Sequence, residues 1–408
     1  MAVIGQARRA RGAAQPQGRA ATPLAWLRLV GGALFAGLGT LAVVPAPTSL
    51  LWKVGLGVNE WGYWVALLAL TPLLPGWRRS WPGRIGAGLG VVGAALALSS
   101  LVRAAAFAGD VPAQITAAFG VARPLGVAGA PGRSGPLVAL DLVRGISSPA
   151  VRQERVTYAS PEGQPQAMDL YLPQAPELAR APGVITIHGG SWRNGTAADQ
   201  AELNRYLAAR GYVVAAIDYR LSPQWRFPAA VDDVRAAVAY LKAHAAELGL
   251  DPTRLALLGR SAGGQLALLA AYTPADWAIR GVVSLYGPAD LVYGYNHPSN
   301  PAVLDSTAVL TDYLGGSPTT APAAYEAASP INFVGPQTPP TLLIHGERDD
   351  LVSVVQSERL DAKLAAAGRP HLFLRFPWAN HGCDFTLRGP CGQISTYAVE
   401  RFLAAVMR

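Results

Sequence analysis

The chain has 408 residues and a formal net charge of +8. Residues 1–109 hold nine arginines and one lysine against one glutamate, a net charge of +9, which leaves −1 for residues 110–408. The larger part of the chain is therefore not basic, which excludes nucleic acid as its partner. The histidines are scattered and there are only two cysteines, so no metal-binding spacing is visible.

Three apolar segments free of charged residues occupy the first third of the chain, at residues 29–52, 61–77 and 85–102. Each is close to the roughly 20 residues that a helix needs to cross a bilayer. A cleaved signal peptide would explain the first segment but not the other two. The sequence predicts an all-α transmembrane region of about three helices over residues 1–108, and the second helix is the weakest because it contains Pro72 and Pro75.

The arginines predict how this region is oriented. Two clusters stand out, one before the first segment and one between the second and third: Arg8, Arg9, Arg11 and Arg19, then Arg78, Arg79 and Arg84. Cytoplasmic loops are enriched in arginine and lysine. Three crossings therefore give an integral membrane protein with a cytoplasmic N-terminus and an extracytoplasmic remainder, and the lipid bilayer is an expected partner.

Residues 109–150 are rich in glycine, alanine and proline, most strongly at residues 126–132. Such a composition is typical of a linker, and a tether is the expected structure. The alternative is a short helix at residues 136–143 that lies on the membrane or over the mouth of an active site. The sequence leaves both open.

From residue 153 onward, strand-like and helical patterns alternate. Strands are expected at residues 155–159, 168–172, 184–187, 212–217, 255–258, 281–285, 341–344 and 371–376, and helices at residues 197–210 and 229–248. This alternation predicts an α/β fold over residues 151–408, with a mostly parallel central sheet and helices on both faces.

A tight turn with the sequence GRSAG lies at residues 259–263, directly after an apolar strand and directly before a helical run. Small residues on both sides of Ser261 let the backbone bend sharply and expose the hydroxyl, as a nucleophile elbow requires. Two further strands end in HGERDD at residues 345–350 and in the loop PWANHG at residues 377–382. The chain order is therefore serine, acid, histidine.

Five motifs in this order carry a resemblance: HGGSW, DYRLSPQWRFPAAVDDV, DPTRLALLGRSAGG, HGERDDLV and NHG. Residues 150–408 resemble the hormone-sensitive-lipase and feruloyl-esterase-like branch of the α/β-hydrolase superfamily. The resemblance implies the α/β-hydrolase fold and a serine hydrolase that needs no cofactor. It also implies that residues 286–330, which depart from the strand and helix rhythm, line or cover the substrate pocket, although an ordinary surface connection is the alternative.

The chemistry assigns roles to three side chains. Ser261 is the expected nucleophile, and His381, in a loop beside a glycine, is preferred as the base over His371, which begins a strand. Asp349 lies four residues after His345, at the position that the family uses for the acid. Asp350 is the alternative acid, and Glu347 is a more distant one.

Backbone N–H groups are the expected donors to the oxyanion, from Gly189, Gly190 and Ser191 of the HGGSW loop and from Ala262 after the nucleophile. Relatives have a third glycine where this chain has Ser191, which narrows the allowed backbone dihedrals. His188 is expected to brace this loop, with Trp192 packed beneath it.

Cys383 and Cys391 lie just after His381. In an extracytoplasmic domain such a close pair predicts a disulfide. The alternative is two unrelated small apolar residues.

The sequence as a whole predicts a membrane-anchored serine carboxylesterase that acts on small to medium acyl esters, either small molecules or lipids, through an acyl-enzyme. Another acyl-transfer enzyme on the same triad, a peptidase or an acyltransferase, is one alternative. A noncatalytic scaffold that retains the fold is the other.

Overall fold

The computed structural model describes residues 21–122, 125, 132–174, 180–273 and 279–408. The arginine cluster at residues 8–19 lies outside the described residues, as does most of the glycine-rich segment at 126–132.

An eight-stranded sheet forms the centre of residues 151–408, the part of the chain that the sequence predicts to be catalytic and that is called the catalytic portion below. The strands are β1 Arg152–Ala159, β2 Gln166–Leu172, β3 Ala181–Ile187, β4 Val213–Ile217, β5 Leu250–Arg260, β6 Ile279–Leu285, β7 Thr341–Gly346 and β8 His371–Phe376. Their order across the sheet is β1-β2-β4-β3-β5-β6-β7-β8. The pairs β1 with β2 and β2 with β4 are antiparallel, and every other neighbouring pair is parallel. The mostly parallel sheet predicted from the sequence is confirmed.

Helices cover both faces of this sheet and form the N-terminal region. They are α1 Pro23–Thr40, α2 Ser49–Glu60, α3 Gly62–Ala69, α4 Trp81–Ala108, α5 Val111–Phe119, α6 Ala139–Arg144, α7 Ala201–Ala209, α8 Ala229–Ala243, α9 Ala262–Tyr272, α10 Leu291–Asn296, α11 Ser306–Leu314, α12 Pro322–Ala328, α13 Val355–Ala366 and α14 Pro390–Val406. Adjacent strand residues point to opposite faces, so Val184 packs in the core with α7 and α14, whereas Ile185 packs in the core with α8 and α9.

In the N-terminal region, α1 and α3 pack lengthwise on α4. Glycines permit this close approach: a Cβ on Gly32 would lie 2.1 Å from the Gly86 carbonyl oxygen, and one on Gly39 would lie 2.7 Å from that of Gly93. Small residues at such contacts are typical of helices that associate in a membrane.

The helix boundaries differ from those predicted for the apolar segments. Helix α1 ends at Thr40 because Pro45 and Pro47 follow, and the rest of the first segment enters the separate helix α2. Helix α3 has eight residues and gives way to a 3₁₀ turn at Thr71–Leu73, where Pro72 lies. Among the described residues, two helices, α1 and α4, are long and apolar enough to cross a membrane.

The helical region has one end near the sheet and one end far from it, and the chain passes back and forth between them. At the end far from the sheet, Arg28 of α1 donates to the carbonyl of Pro75, which follows α3 (2.9 Å). At the near end, Arg348 donates to the carbonyl of Ala42, which follows α1. Helix α1 therefore runs toward the catalytic portion, α3 runs away from it, and α4 returns to it.

The last turns of α4 enter the catalytic core. Phe107 packs edge to face against Phe376 and Trp378, with ring centroids 5.3 and 5.8 Å away. Helix α5 then packs on α14, where Phe119 contacts Phe402. Part of the region interpreted as a tether, residues 109–150, is thus helical and packed on the domain.

Candidate active site

Ser261 occupies the turn between β5 and α9. Its backbone has φ 53° and ψ −121°, which places a non-glycine residue in a strained conformation. The turn is so tight that a Cβ on Gly259 would lie 2.0 Å from the Gly263 carbonyl oxygen, and one on Gly263 would lie 2.2 Å from that of Ile187. Only glycine fits at these two positions, and the sharp turn exposes the Ser261 hydroxyl at the carboxyl edge of the sheet.

Three side chains from the ends of three parallel strands meet at this edge. The Oγ of Ser261 lies 2.9 Å from Nε2 of His381, and Nδ1 of His381 lies 2.7 Å from Oδ2 of Asp349. With Nδ1 donating to the carboxylate, Nε2 is free to accept the serine proton. The structure thus brings together the serine, histidine and acid that the sequence singled out.

Asp349 is held in one orientation by several donors. Its Oδ1 accepts from the backbone N–H groups of Leu351 (2.9 Å) and Val352 (2.8 Å), and its Oδ2 also lies 3.0 Å from Nε2 of His345. Burial alone would raise the pKa of the Asp349 carboxyl, but the adjacent His381 and the hydrogen bonds from both histidines outweigh it and hold that pKa below its usual range. Asp349 is therefore a carboxylate when it faces the imidazole.

The alternative residues lie elsewhere. Oδ2 of Asp350 accepts from the backbone N–H of Ala46 at 3.4 Å, and Glu347 pairs with Arg375 at 2.7 Å. His371 is bound by Asp361 at 3.2 Å. None of these three contacts involves the serine.

The HGGSW loop faces the nucleophile from β3. A Cβ on Gly189 would lie 3.3 Å from the Ser261 Cβ, so the backbone at this glycine runs directly beside the nucleophile. Gly190 has φ 116° and Ser191 has φ 55°, so the serine adopts the left-handed conformation that a third glycine would take easily. Ser191 and Ala262 both line the pocket at the nucleophile.

His188 and Trp192 pack at the two ends of this loop. His188 stacks on Tyr219 with ring centroids 4.2 Å apart, and its Nδ1 lies 2.6 Å from the Gly189 carbonyl, to which it donates. Burial lowers the pKa of His188, which keeps the ring neutral. Trp192 stacks on Tyr313, and its Nε1 donates to Gln265 (3.0 Å).

Two contacts of this cluster were missed in the sequence. His345 is buried and joins Asp349 to the hydroxyl of Ser357, 2.7 Å from its Nδ1. The sequence feature that could have identified it is its position at the end of β7, four residues before Asp349. Tyr286 lies against His381, with ring centroids 4.5 Å apart, and no local pattern marks it.

A pocket opens beside Ser261 and His381, with about 600 Å³ of empty space that includes open solvent. Much of its wall comes from residues 291–310, within the segment that departs from the strand and helix rhythm. Its apolar lining includes Leu291, Leu304, Val309, Leu310, Leu351 and Val352. The segment therefore lines the pocket, as the resemblance implied.

A disulfide joins Cys383 and Cys391, which closes the loop that follows His381. Cys391 stands in the first turn of α14, where its backbone N–H donates to Oε2 of Glu60 at 3.1 Å. The carboxyl of Glu60 is buried, which raises its pKa well above the usual value despite the hydrogen bonds from Cys391 and Gly392. Glu60, the last residue of α2, thus caps the first turn of α14.

Comparisons with known proteins identify relatives of this chain. The family model named BD-FAE matches residues 168–364. A probable carboxylic ester hydrolase, LipM, of Mycobacterium tuberculosis is 33% identical over 261 residues, 60% of this chain and 59% of that protein. Esterase LipC of the same organism is 32% identical over 278 residues, 63% of this chain and 66% of that protein.

Solved structures of esterases also resemble this chain. An esterase from Pyrobaculum calidifontis is 27% identical, with a TM-score of 0.55 over 65% of this chain and 90% of that one. The chain spans less than two thirds of the length of the two mycobacterial proteins. The catalytic portion of the chain has the α/β-hydrolase fold and is homologous to bacterial esterases.

Proposed function

We propose that the protein is a membrane-anchored carboxylesterase that uses Ser261, His381 and Asp349 as a catalytic triad. The observation that carries the proposal is the continuous hydrogen-bonded chain from the Ser261 hydroxyl through His381 to a buried carboxylate. Homology to esterases supports an ester rather than another acyl compound as the substrate.

In the first half-reaction, Oγ of Ser261 attacks the ester carbonyl while Nε2 of His381 takes its proton. The carbonyl oxygen becomes an oxyanion, which accepts hydrogen bonds from the backbone N–H groups of Ala262 and of the loop at Gly190 and Ser191. The imidazolium then gives its proton to the departing alcohol oxygen as the ester C–O bond breaks, which leaves an acyl-enzyme.

In the second half-reaction, water attacks the acyl carbonyl and His381 takes a proton from that water. Collapse of the second tetrahedral intermediate returns the proton to Oγ of Ser261 and releases a carboxylic acid. Asp349 stabilises the imidazolium in both halves and keeps Nδ1 protonated, so that Nε2 always faces the serine.

Membrane anchoring rests on where the exposed apolar side chains lie. Among the described residues, all the exposed large apolar side chains except Val292 and Phe385 precede residue 144. Tryptophans stand at both ends of the helical region: Trp26 packs on Trp81 at the far end, and Trp61 lies at the end next to the catalytic portion. Aromatic residues at two levels are typical of the two interfaces of a bilayer.

The direction of the helices supports an extracytoplasmic catalytic portion. Arg78, Arg79 and Arg84 lie with Arg28 at the far end, and arginines collect on the cytoplasmic side. We propose three crossings because α1, α3 and α4 each pass between the two ends. Among the described helices, α1 and α4 are long enough to cross by themselves, and the second crossing would be made by the shorter α3 with the 3₁₀ turn after it.

The catalytic assignment is tested with Ser261→Ala in the full-length protein. Hydrolysis of p-nitrophenyl butyrate should fall by about 1,000-fold or more, and labelling by a fluorophosphonate should be lost. Ser160→Ala, an exposed serine in the turn between β1 and β2, is the matched control and should keep both. Retention of a tenth of the turnover by Ser261→Ala would refute the assignment. Formation of a new ester in place of the free acid, when an alcohol is added, would indicate an acyltransferase.

The orientation is tested with alkaline phosphatase fusions, since this reporter is active only outside the cytoplasm. A fusion after Arg408 should be active, and a fusion after Arg79, between α3 and α4, should be inactive. Activity of the second fusion, or inactivity of the first, would contradict three crossings with a cytoplasmic N-terminus.

A further inference from the structure

Several N-terminal residues contact the catalytic portion at the carboxyl edge of the sheet. Arg348 follows β7 and donates to Ala42, and Arg103 of α4 donates to the carbonyl of Pro377, which follows β8 (3.3 Å). Phe385 and Cys391, beyond the catalytic histidine, meet Trp61 and Glu60. This is the same edge at which Ser261, Asp349 and His381 meet.

The amino edge of the sheet points the other way. The end of α5 reaches that edge, where Phe119 lies beside Ile279 at the start of β6 and Pro340 just before β7. The chain from Arg103 to Phe119 therefore runs from the carboxyl edge to the amino edge. The candidate active site is on the face of the domain that adjoins the helical region.

The rim of the substrate pocket is attached to that region. We define the rim as residues 299–306 and 349–352, which include the pocket-lining residues Leu304 and Leu351. The loop between α1 and α2 bonds to one part of it, and the first residue of α2 bonds to the other. The N–H of Ser49 donates to the Ala302 carbonyl at 3.1 Å, and the N–H of Ala46 donates to Asp350 at 3.4 Å.

Two exposed apolar side chains, which we call the apolar border, are chain neighbours of residues at the rim or in the pocket. Leu50, next to Ser49, is 69% exposed, and Val292, between the pocket-lining residues Leu291 and Tyr293, is 39% exposed. Within the described part of residues 151–408, Val292 and Phe385 are the exposed large apolar side chains, and Phe385 packs on Trp61. An apolar border around a pocket is suited to contact with lipid.

We infer that the pocket of Ser261 opens at the bilayer surface and takes a long-chain, amphiphilic ester directly from the leaflet that adjoins the catalytic portion. The inference rests on the proposed esterase function and membrane anchoring. The apolar wall of the pocket accommodates the acyl chain, and the polar part of the ester stays at the interface. Hydrolysis releases a fatty acid, which returns to the leaflet, and an alcohol.

The test uses full-length protein in phosphatidylcholine vesicles and two esters, water-soluble 4-methylumbelliferyl acetate and membrane-bound 4-methylumbelliferyl oleate. The oleate is placed either in the bilayer that holds the enzyme or in separate enzyme-free vesicles, at equal total concentration. Oleate in the shared bilayer should be hydrolysed at least tenfold faster. Equal rates from the two placements would overturn the inference, whereas normal cleavage of the acetate would leave the esterase function standing. Failure to cleave either ester would instead refute the esterase function.

Two variants locate the entrance. Leu50→Glu and Val292→Glu should each slow hydrolysis of oleate in the shared bilayer at least fivefold and change acetate hydrolysis less than twofold, because each puts a charge at the border but not in the pocket. Val121→Glu is the matched control, since Val121 is 64% exposed and follows α5 at the amino edge. Unchanged acetate hydrolysis also reports that each variant is folded. An equal loss with Val121→Glu, or no loss with the two border variants, would overturn the inference.

Discussion

Asp349→Asn isolates the electrostatic part of the proposed mechanism, because asparagine keeps the shape of the side chain and removes its charge. The carboxylate and the imidazolium that forms on His381 have charge centres about 4 Å apart, and an effective dielectric constant of about 20 gives an attraction of about 4 kcal/mol. The loss of this attraction from the transition state corresponds to about a 1,000-fold fall in kcat. Asparagine can also donate to Nδ1 of His381, which would turn the ring to the wrong tautomer and deepen the loss.

Asp350→Asn is the matched control because it makes the same chemical change one residue further on. Asp350 bonds to Ala46 and not to the catalytic histidine, so its kcat should change less than threefold. The assay is steady-state hydrolysis of p-nitrophenyl butyrate by both variants in the same detergent, with equal melting temperatures as the check on folding. A larger loss with Asp350→Asn than with Asp349→Asn would refute the assignment of the acid.

Three other predictions concern the surroundings of the triad. His345→Ala should lower kcat about tenfold with KM unchanged, because it frees one side of Asp349, and His345→Gln, which restores an N–H donor, should recover most of it. Reduction of the bond between Cys383 and Cys391 should lower stability by about 2–3 kcal/mol and turnover with it; two free thiols in protein from an oxidising compartment would contradict this. Burial raises the folded-state pKa of Glu60, so stability is lost as pH rises from the unfolded value near 4.5 through the folded one. Glu60→Gln should therefore melt at the same temperature as the wild type at pH about 4.5 and higher at pH about 8, and a constant difference would contradict the buried acid.

The meeting of Ser261, His381 and Asp349 could be predicted because its determinants are local in sequence. A serine between small residues, placed after an apolar strand and before a helix, specifies the elbow without knowledge of the rest of the chain. The parallel sheet follows from the alternation of strands and helices, and it brings the ends of β5, β7 and β8 to one edge. The chain order then restricts the acid and the base to a few residues.

The contacts made across the fold could not be predicted in this way. Glu60 and Cys391 are 331 residues apart in the chain, and no pattern near either one marks the pair. The apolar segments likewise predicted that N-terminal helices exist but not where each helix begins and ends. Pro45 and Pro47 separate α1 from α2, and α2 then contacts the catalytic portion at both of its ends.

The end of α4 ties the helical region to the catalytic portion more closely than a tether would. Ala104 and Ala108 of α4, with Val111 and Ile115 of α5, are buried in the core formed by β8 and α14. A chain beginning at residue 153 would expose that face, and each large apolar side chain uncovered there would cost about 1.5–3 kcal/mol. Because a small domain has only about 5–15 kcal/mol of net stability, such a fragment would lose a large fraction of it. Helix α4, which we propose crosses the membrane, is therefore also part of the core that supports His381, and activity should be measured on a chain that includes it.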